Sequence, residues 1–385
     1  MTKKIIRITT IPESLGGLLT GQLKFMSQHF EVVGVSSKSK GVLENVGKRE
    51  GIRVIPVKMT RTMTPLKDLR ATWQLYKTYK KEKPFIVHSH TPKAGTVGML
   101  AAYFARVPHR LHTIAGLPLL EAKGNKRKVL NLVEKITYAC ATKIYPNSYG
   151  LKQIILDHKF TSEKKLKVIG NGSSNGIDTS HFDPEIYSEK DNELLKISLG
   201  INKDDLVFVF VGRIVKDKGI NELVQAFDKL AKAHKNVKLL IVGSYEKELD
   251  PVLPETEQTI DNHSQIIPVG WQKDVRPYFA IADVLAFPSY REGFPNVVLQ
   301  AGAMGLPSIV SNINGCNEII EEGINGFIIP VKDAESLYES MNNFIERKQT
   351  NIVFDKKLIR EQIAGKYSRE TIWEAILEEY NSLKS

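Results

Sequence analysis

Two stretches of the chain place charge where a strand-like run gives way to a helix-like one. The first reads Phe210-Val211-Gly212-Arg213-Ile214-Val215-Lys216-Asp217-Lys218-Gly219. Its β-branched and aromatic run stops at Gly212 and a helical pattern starts near Ile220, so Arg213 and Lys218 fall in the loop between them. Two cations beside the free backbone N–H groups of a helix start form a seat suited to a diphosphate. The second stretch reads Ser289-Tyr290-Arg291-Glu292-Gly293-Phe294-Pro295-Asn296 and runs into an apolar helical segment, with Pro295 expected at the first helical position. Glu292 then lies just outside a helix start. A carboxylate there accepts hydrogen bonds from ligand hydroxyls, while the N–H groups beyond it face an anion. Asn296 and Gln300 are four apart and share a face of that helix.

Smaller signals sit in the first half. Leu15-Gly16-Gly17-Leu18 reads as a glycine turn opening a helix after the first strand, without the dinucleotide-binding fingerprint. His88-Ser89-His90-Thr91-Pro92-Lys93 follows one strand end and His112-Thr113-Ile114-Ala115-Gly116 the next. One histidine beside a strand is usually structural; three at strand ends along one edge make binding candidates. No carboxylate or cysteine spacing accompanies them, so metal ligation is not expected. An Asp-x-Asp pair that would hold a metal on a nucleotide sugar is missing as well.

The elements that position these groups alternate along the chain. In the first half, strand-like runs cover 4–9, 32–36, 53–57, 85–88, 110–113, 143–146 and 167–169. Helix-period segments lie at 66–81, 95–105, 128–141 and 150–159. Residues 170–200 are rich in Gly, Ser, Asn and Asp and read as a linker with turns. Alternation resumes with runs at 206–211, 237–242, 265–268, 284–287, 308–310 and 326–329, and helices at 220–233, 275–281, 295–304 and 335–346. A last helix, 369–383, carries an apolar stripe of Ile372, Trp373, Ile376, Leu377 and Tyr380. The fold class is therefore α/β, with two Rossmann-like doubly wound domains facing across a cleft. The expected domains are 1–180, completed by a crossing-back helix 366–385, and 200–365, with 181–199 as linker.

A length of 385 residues fits two domains, and 42% apolar with 25% charged residues fits a soluble globular chain. No run approaches the roughly 20 apolar residues of a membrane span, and the start MTKKIIRITT lacks a secretory leader pattern. Cys140 and Cys316 are the only cysteines, so a disulfide framework and a zinc site are excluded and a reducing cytoplasm is expected. The net charge of +11 divides unevenly: +21 over residues 1–170 and −10 over 171–385. A basic half points to an anionic partner, either nucleic acid or a membrane surface.

Taken together, Gly212-Arg213 with Lys218-Gly219, Pro288-Ser289 with Glu292-Gly293-Phe294-Pro295, and Ala301-Gly302-Ala303-Met304-Gly305-Leu306-Pro307 resemble glycosyltransferase family 4, with its GT-B fold. Asn175-Gly176-Ile177-Asp178 with Phe182, and Gly315-Cys316-Asn317-Glu318-Ile319-Ile320, extend the match over nearly the whole chain. Within the family it is similar to bacterial enzymes that assemble capsule, O-chain or exopolysaccharide units. The resemblance implies that Arg213, Lys218 and Glu292 are catalytic, the cations holding the donor diphosphate and the carboxylate the sugar hydroxyls. It puts Gly16, Gly17, Gly212, Gly293, Phe294, Pro295, Asn296 and Gln300 on the donor side. The family usually has a second Glu where this chain has Gln300, and often a His where it has Ala115, so His112 is the candidate catalytic histidine. His88, His90 and Lys93 are acceptor-side candidates.

The implied reaction is retaining transfer from a UDP- or GDP-sugar to a hydroxyl of a polyprenyl-diphosphate-linked saccharide, without a metal or other cofactor. The implied place is the cytoplasm, at the anionic inner leaflet. The contact expected there is 123–128 (KGNKRK) beside Leu117, Leu119, Leu120 and Val129. The alternatives are a nucleotide-sugar epimerase of the same fold, a sugar-binding relative without turnover, and a nucleic-acid binder. The last would need aromatics interleaved with cations, but on the amphipathic 66–81 segment Trp73, Tyr76 and Tyr79 are expected to point inward. Trp271 is either part of a base pocket or a core residue.

Overall fold

The computed structural model describes residues 1–385 apart from Met1, Met63, Pro118, Leu120, Glu121, Leu249, Asn351 and Ser385. The strands fall on the short β-branched runs, and every pairing among them is parallel. β1 (Lys4–Ile8), β2 (Glu31–Ser36), β3 (Arg53–Pro56), β4 (Ile86–Ser89), β5 (His109–Ile114) and β6 (Lys143–Pro146) form one sheet in the order β3-β2-β1-β4-β5-β6. β7 (Leu206–Val211), β8 (Val237–Val242), β9 (Ile266–Gly270), β10 (Val284–Phe287), β11 (Ser308–Ser311) and β12 (Gly326–Ile329) form the other, in the order β12-β11-β10-β7-β8-β9. Read from β9, the second order repeats the first. Each sheet reverses direction once, between β1 and β4 and between β7 and β10, and ligands of doubly wound sheets bind at the carboxyl side of such a reversal. The run at 167–169 forms no strand; its neighbour Leu166 makes only an isolated bridge to Ile144.

The chain divides into two units, residues 1–176 with 369–385, and residues 177–368. In the first, successive strand residues turn to opposite faces, as the two-residue period requires. Ile6, Ile8 and Val87 enter one core layer, beneath helices Pro65–Glu82, Pro92–Phe104 and Gly124–Cys140. Ile5, Ile86 and Leu111 enter the other, beneath Gln22–Ser27, Val42–Glu50 and the last helix, Arg369–Asn381. Ile372, Ile376 and Tyr380 of that helix are buried here. Glu379 is buried too, accepting from Lys143 Nζ at 2.6 Å, Tyr145 OH at 3.1 Å and the Lys167 ammonium. Trp373 donates to Asn175 Oδ1 at 2.7 Å, and its ring lies so close to Gly21, in the left-handed region at φ 77°, that a Cβ there would stand 2.7 Å from it.

Residues 181–199 do not form a linker. Asp183 and Pro184 start a 3₁₀ turn, and Ser188 and Asp191 close a capping box on helix Glu189–Ser198, which packs on helix Arg276–Ala280. Arg360 ties the preceding segment down, donating to Phe182 O at 2.6 Å and Thr179 O at 2.9 Å. The segment therefore belongs to the second unit. Pro12 starts helix Pro12–Leu18 earlier than expected, so Gly16 and Gly17 lie inside a helix and not in a turn before one. Trp73 is also corrected: Ala71, Leu75 and Tyr79 take the buried stripe of its helix, and Trp73 is 57% exposed.

Because Ile372 is fully buried in the first unit, Ile372→Ala should remove about 2–5 kcal/mol of that unit's stability. Urea unfolding checks it; an unchanged midpoint would show that the last helix adds nothing to this core.

Candidate active site

The second sheet's reversal brings the two charged stretches together. β7 ends at Val211 and β10 at Phe287, and these strands are neighbours. From β7 the chain passes Gly212 and Arg213, makes a 3₁₀ turn at Lys216–Lys218, and enters helix Ile220–Ala233 through Gly219. Gly219 has φ 71°, and a Cβ there would stand 2.1 Å from the Pro288 carbonyl oxygen. Only glycine lets the two loops approach this closely. They are then joined by hydrogen bonds: Tyr290 N donates to Asp217 O at 2.8 Å, Arg291 pairs with Asp217 at 2.8 Å, and Tyr290 OH donates to Glu222 at 2.7 Å.

At the centre, the Lys218 ammonium and the Glu292 carboxylate form an ion pair, and Ser289 Oγ donates to the same carboxylate oxygen at 3.1 Å. Arg213 is half exposed and held by Glu246 at 2.8 Å; that hydrogen bond, outweighing partial burial, raises its pKa and keeps the guanidinium charged. From the other side, Asn314 donates to the carbonyls of Glu292 and Gly293, the latter at 3.1 Å. Gly315, at φ 80°, lies against the Gly293 carbonyl, where a Cβ would approach to 2.9 Å. The loop 289–295 is thus fixed from two sides. Pro295 is the N-cap of helix Asn296–Ala303 and not its first residue. Asn296 is exposed and Gln300 half-buried on that helix, whereas Phe294 is buried against Tyr367 and serves packing. Cys316 is fully buried, and burial beside the Glu292 charge pushes its thiol pKa well up, so it is not a nucleophile.

The sequence singled out Arg213, Lys218 and Glu292 but not Glu246, which holds Arg213, nor Asn314, which holds the Glu292 loop. No spacing marks Glu246. Asn314 directly precedes the Gly315-to-Ile320 motif, which was the available signal.

The first unit's candidates are engaged internally. His88 Nδ1 pairs with Tyr380 OH, and His88 Nε2 with Thr113 Oγ1 at 2.8 Å. His90 Nε2 accepts from Arg7 Nε at 2.9 Å, which leaves its proton on Nδ1. Arg7 is fully buried and also donates to Gln22, whose amide reaches Asn175 Oδ1 at 3.0 Å. Burial and the Arg7 charge hold both imidazoles well below their usual pKa, so both are neutral. The small cavity they line has room for roughly one water, not for a saccharide. Lys93 is paired with Asp68. Gly16 packs on Val46 and Arg49, whereas Gly17 has open space around its Cα.

His112 is buried, its Nδ1 on Ser89 Oγ at 2.8 Å and its ring against Gly95, where a Cβ would come within 2.4 Å. The ring packs beneath helix Pro92–Phe104.

The family model for glycosyl transferases group 1 matches residues 191–360, and that for glycosyl transferase 4-like proteins matches residues 21–148. Over 384 residues the chain is 35% identical to the capsular polysaccharide biosynthesis glycosyltransferase CapM of Staphylococcus aureus, covering 99% of this chain and 97% of that one. The chain belongs to the family 4 glycosyltransferases. An Escherichia coli relative, named UDP-Gal:alpha-D-GlcNAc-diphosphoundecaprenol alpha-1,3-galactosyltransferase, is 29% identical over 91% of this glycosyltransferase and 90% of its own length. The crystal structure of Anabaena HepE in complex with UDP superposes with a TM-score of 0.80 at 20% identity, covering 100% of both chains. The two six-stranded units are those of the GT-B fold, as expected.

One consequence of the glycosyltransferase's buried imidazoles is measurable. Burial pushes the His112 pKa down to about 4, while in the unfolded chain it titrates near 6.5. Between these values the unfolded state binds more protons, so this contribution is complete above about pH 6.5 and declines toward about pH 4. Melting temperatures should fall from pH 7 to pH 5, and His112→Gln should reduce the fall; an equal slope in both proteins would remove His112 from the account.

Proposed function

We propose that this glycosyltransferase moves a sugar, with retention at its anomeric carbon, from a UDP- or GDP-sugar to a hydroxyl of a lipid-linked saccharide during surface polysaccharide assembly. The observation that carries the reading is the Lys218–Glu292 pair beside Arg213 at the reversal of the second sheet. When the sugar leaves, charge develops on the departing diphosphate, and cations already fixed in place stabilise it without reorganising. Arg213 and Lys218 supply that charge, with backbone N–H groups around Gly293 and Asn296 beside them. Glu292 accepts hydrogen bonds from sugar hydroxyls and so positions the donor. Gln300 takes the ribose hydroxyls as a neutral amide. No resident metal is required in this scheme, since the cations occupy the place a metal would have beside the diphosphate.

Support for the acceptor comes from the relatives. The Escherichia coli protein and a Campylobacter jejuni relative, 26% identical over 86% of this chain, are both named for transfer to a sugar on diphosphate-linked undecaprenol. A polyprenyl-diphosphate saccharide brings the reaction to the cytoplasmic face of a membrane, where the basic first half meets anionic lipid.

A thermal-shift panel with UDP, GDP, ADP, CMP and dTDP, without added metal, tests the donor site. One nucleotide should stabilise the chain, by about 2.7 kcal/mol at 100 times its Kd. Arg213→Ala and Lys218→Ala should each lower turnover by about 10²–10³, and Arg213→Ala, at a half-exposed side chain, should leave the unliganded melting temperature unchanged. Gln300→Glu should keep or raise activity. No shift with any nucleotide, or normal rates in both cation variants, would overturn the assignment.

A further inference from the structure

Six large apolar side chains on the first unit face outward, in two triplets. Leu66, Leu69 and Trp73 lie on helix Pro65–Glu82, and Val129, Leu132 and Ile136 on helix Gly124–Cys140. All six are between 42% and 78% exposed. Within each triplet the spacing is i, i+3, i+7, which stacks three side chains on one stripe of a helix. Each helix already has its buried stripe elsewhere, at Ala71, Leu75 and Tyr79 in one and at Thr137 and Tyr138 in the other. Both helices are therefore apolar on two sides, and core packing explains only one.

The two helices that carry these stripes lie in one layer. Helix Pro92–Phe104 packs between these helices on the same layer of the sheet, which sets their axes about 20 Å apart at ordinary helix spacing. Lysines and arginines flank each stripe. Arg70 and Lys77 stand beside the first, with Lys77 Nζ 5.2 Å from the centre of the Trp73 ring. Lys126, Lys128 and Lys135 stand beside the second, all exposed. The sequence had pointed to Leu117, Leu119 and Leu120 beside the basic segment. Leu117 and Leu119 are instead buried in the core, and Leu120 lies outside the described residues.

We infer that this two-helix face seats the enzyme on an anionic lipid bilayer, with the apolar triplets entering the headgroup region and the flanking cations meeting lipid phosphates. Long cationic side chains beside leucine, valine, isoleucine and an interfacial tryptophan are the composition of a helix lying in a membrane surface. No described helix is long and apolar enough to cross a membrane, so the contact is a seat and not a span. Charge decides against two other occupants. A second copy would set one face of a half carrying +21 against another, and like charges oppose that association. Nucleic acid would satisfy the cations but leave five aliphatic side chains without bases to stack on. The inference rests on the lipid-linked acceptor proposed above, yet it concerns a surface separate from the donor residues.

Flotation of the full chain with vesicles tests it, comparing phosphatidylcholine alone with an equal mixture of phosphatidylcholine and phosphatidylglycerol. The chain should float with the mixture, and its tryptophan emission should shift to the blue, an effect lost in Trp73→Phe. Leu66→Ser/Leu69→Ser/Trp73→Ser and Val129→Ser/Leu132→Ser/Ile136→Ser should each raise the lipid needed for half-binding at least tenfold. Both should retain the wild-type melting temperature and nucleotide-induced shift, since the replaced groups are exposed. Lys126→Glu/Lys128→Glu should weaken binding and lessen its dependence on salt. Wild-type flotation of both triple variants would overturn the inference even if the charge variant fails, because adhesion would then be electrostatic only. So would self-association that the triple variants abolish. A nucleotide shift without vesicle binding would leave the transferase reading standing and remove this one; vesicle binding without a nucleotide shift would do the reverse.

Discussion

The second unit is organised around one ion pair. Lys218 and Glu292 meet because β7 and β10 are hydrogen-bonded neighbours although two strands, β8 and β9, come between them in sequence order. Adjacent strands lie about 4.8 Å apart; one strand inserted between them would pull the ammonium and carboxylate out of reach. Other details serve this approach. Gly219 lacks the side chain that would strike the Pro288 carbonyl, and Tyr290 and Arg291 anchor their loop on Asp217 and Glu222. Each cation has a fixed carboxylate partner, so the site's charge is positioned by the fold and not left to flexible side chains.

Most of the architecture was legible because the strands of a parallel sheet are buried on both faces and read as unbroken apolar runs. The elements that escaped lack this signature. Helix Glu189–Ser198 has no fully buried residue and is set by its capping box, so composition alone reads it as linker. The charged loops were legible because turn chemistry is local. The histidines were not: residue type shows that His88 ends a strand, but not that Tyr380, 292 positions away, will cover it. The same non-locality hid Glu246 and Asn314. Trp73 shows another limit, since an amphipathic pattern with two apolar stripes does not say which of them the core will take.

The first unit buries a polar network between its apolar core residues, beneath a basic exterior. Arg7 is fully buried and bonded to neutral partners, His90 and Gln22. From Gln22 the bonds continue to Asn175 and on to Trp373. A buried arginine stays charged, and the chain of amides and imidazoles around it supplies lone pairs in place of a counter-ion. This holds the segment leaving the first unit at residues 174–176 to the helix that returns to it. The asymmetry of charge along the chain is thus a property of surfaces, whereas His88, His90 and His112 bond to groups inside this unit.

The returning helix has a consequence for biosynthesis. One face of the first sheet is covered in part by Ile372, Ile376 and Tyr380, and Glu379 neutralises Lys143 and Lys167 from the same helix. A ribosome makes these residues after all of 177–368. While the chain is still being translated, the earlier unit has an uncovered apolar face and two unpaired lysines, and the later unit already has all of its strands. Domains usually fold in the order in which they emerge; here the unit begun first is the last to close, and during that interval its exposed leucines and isoleucines are open to chaperones.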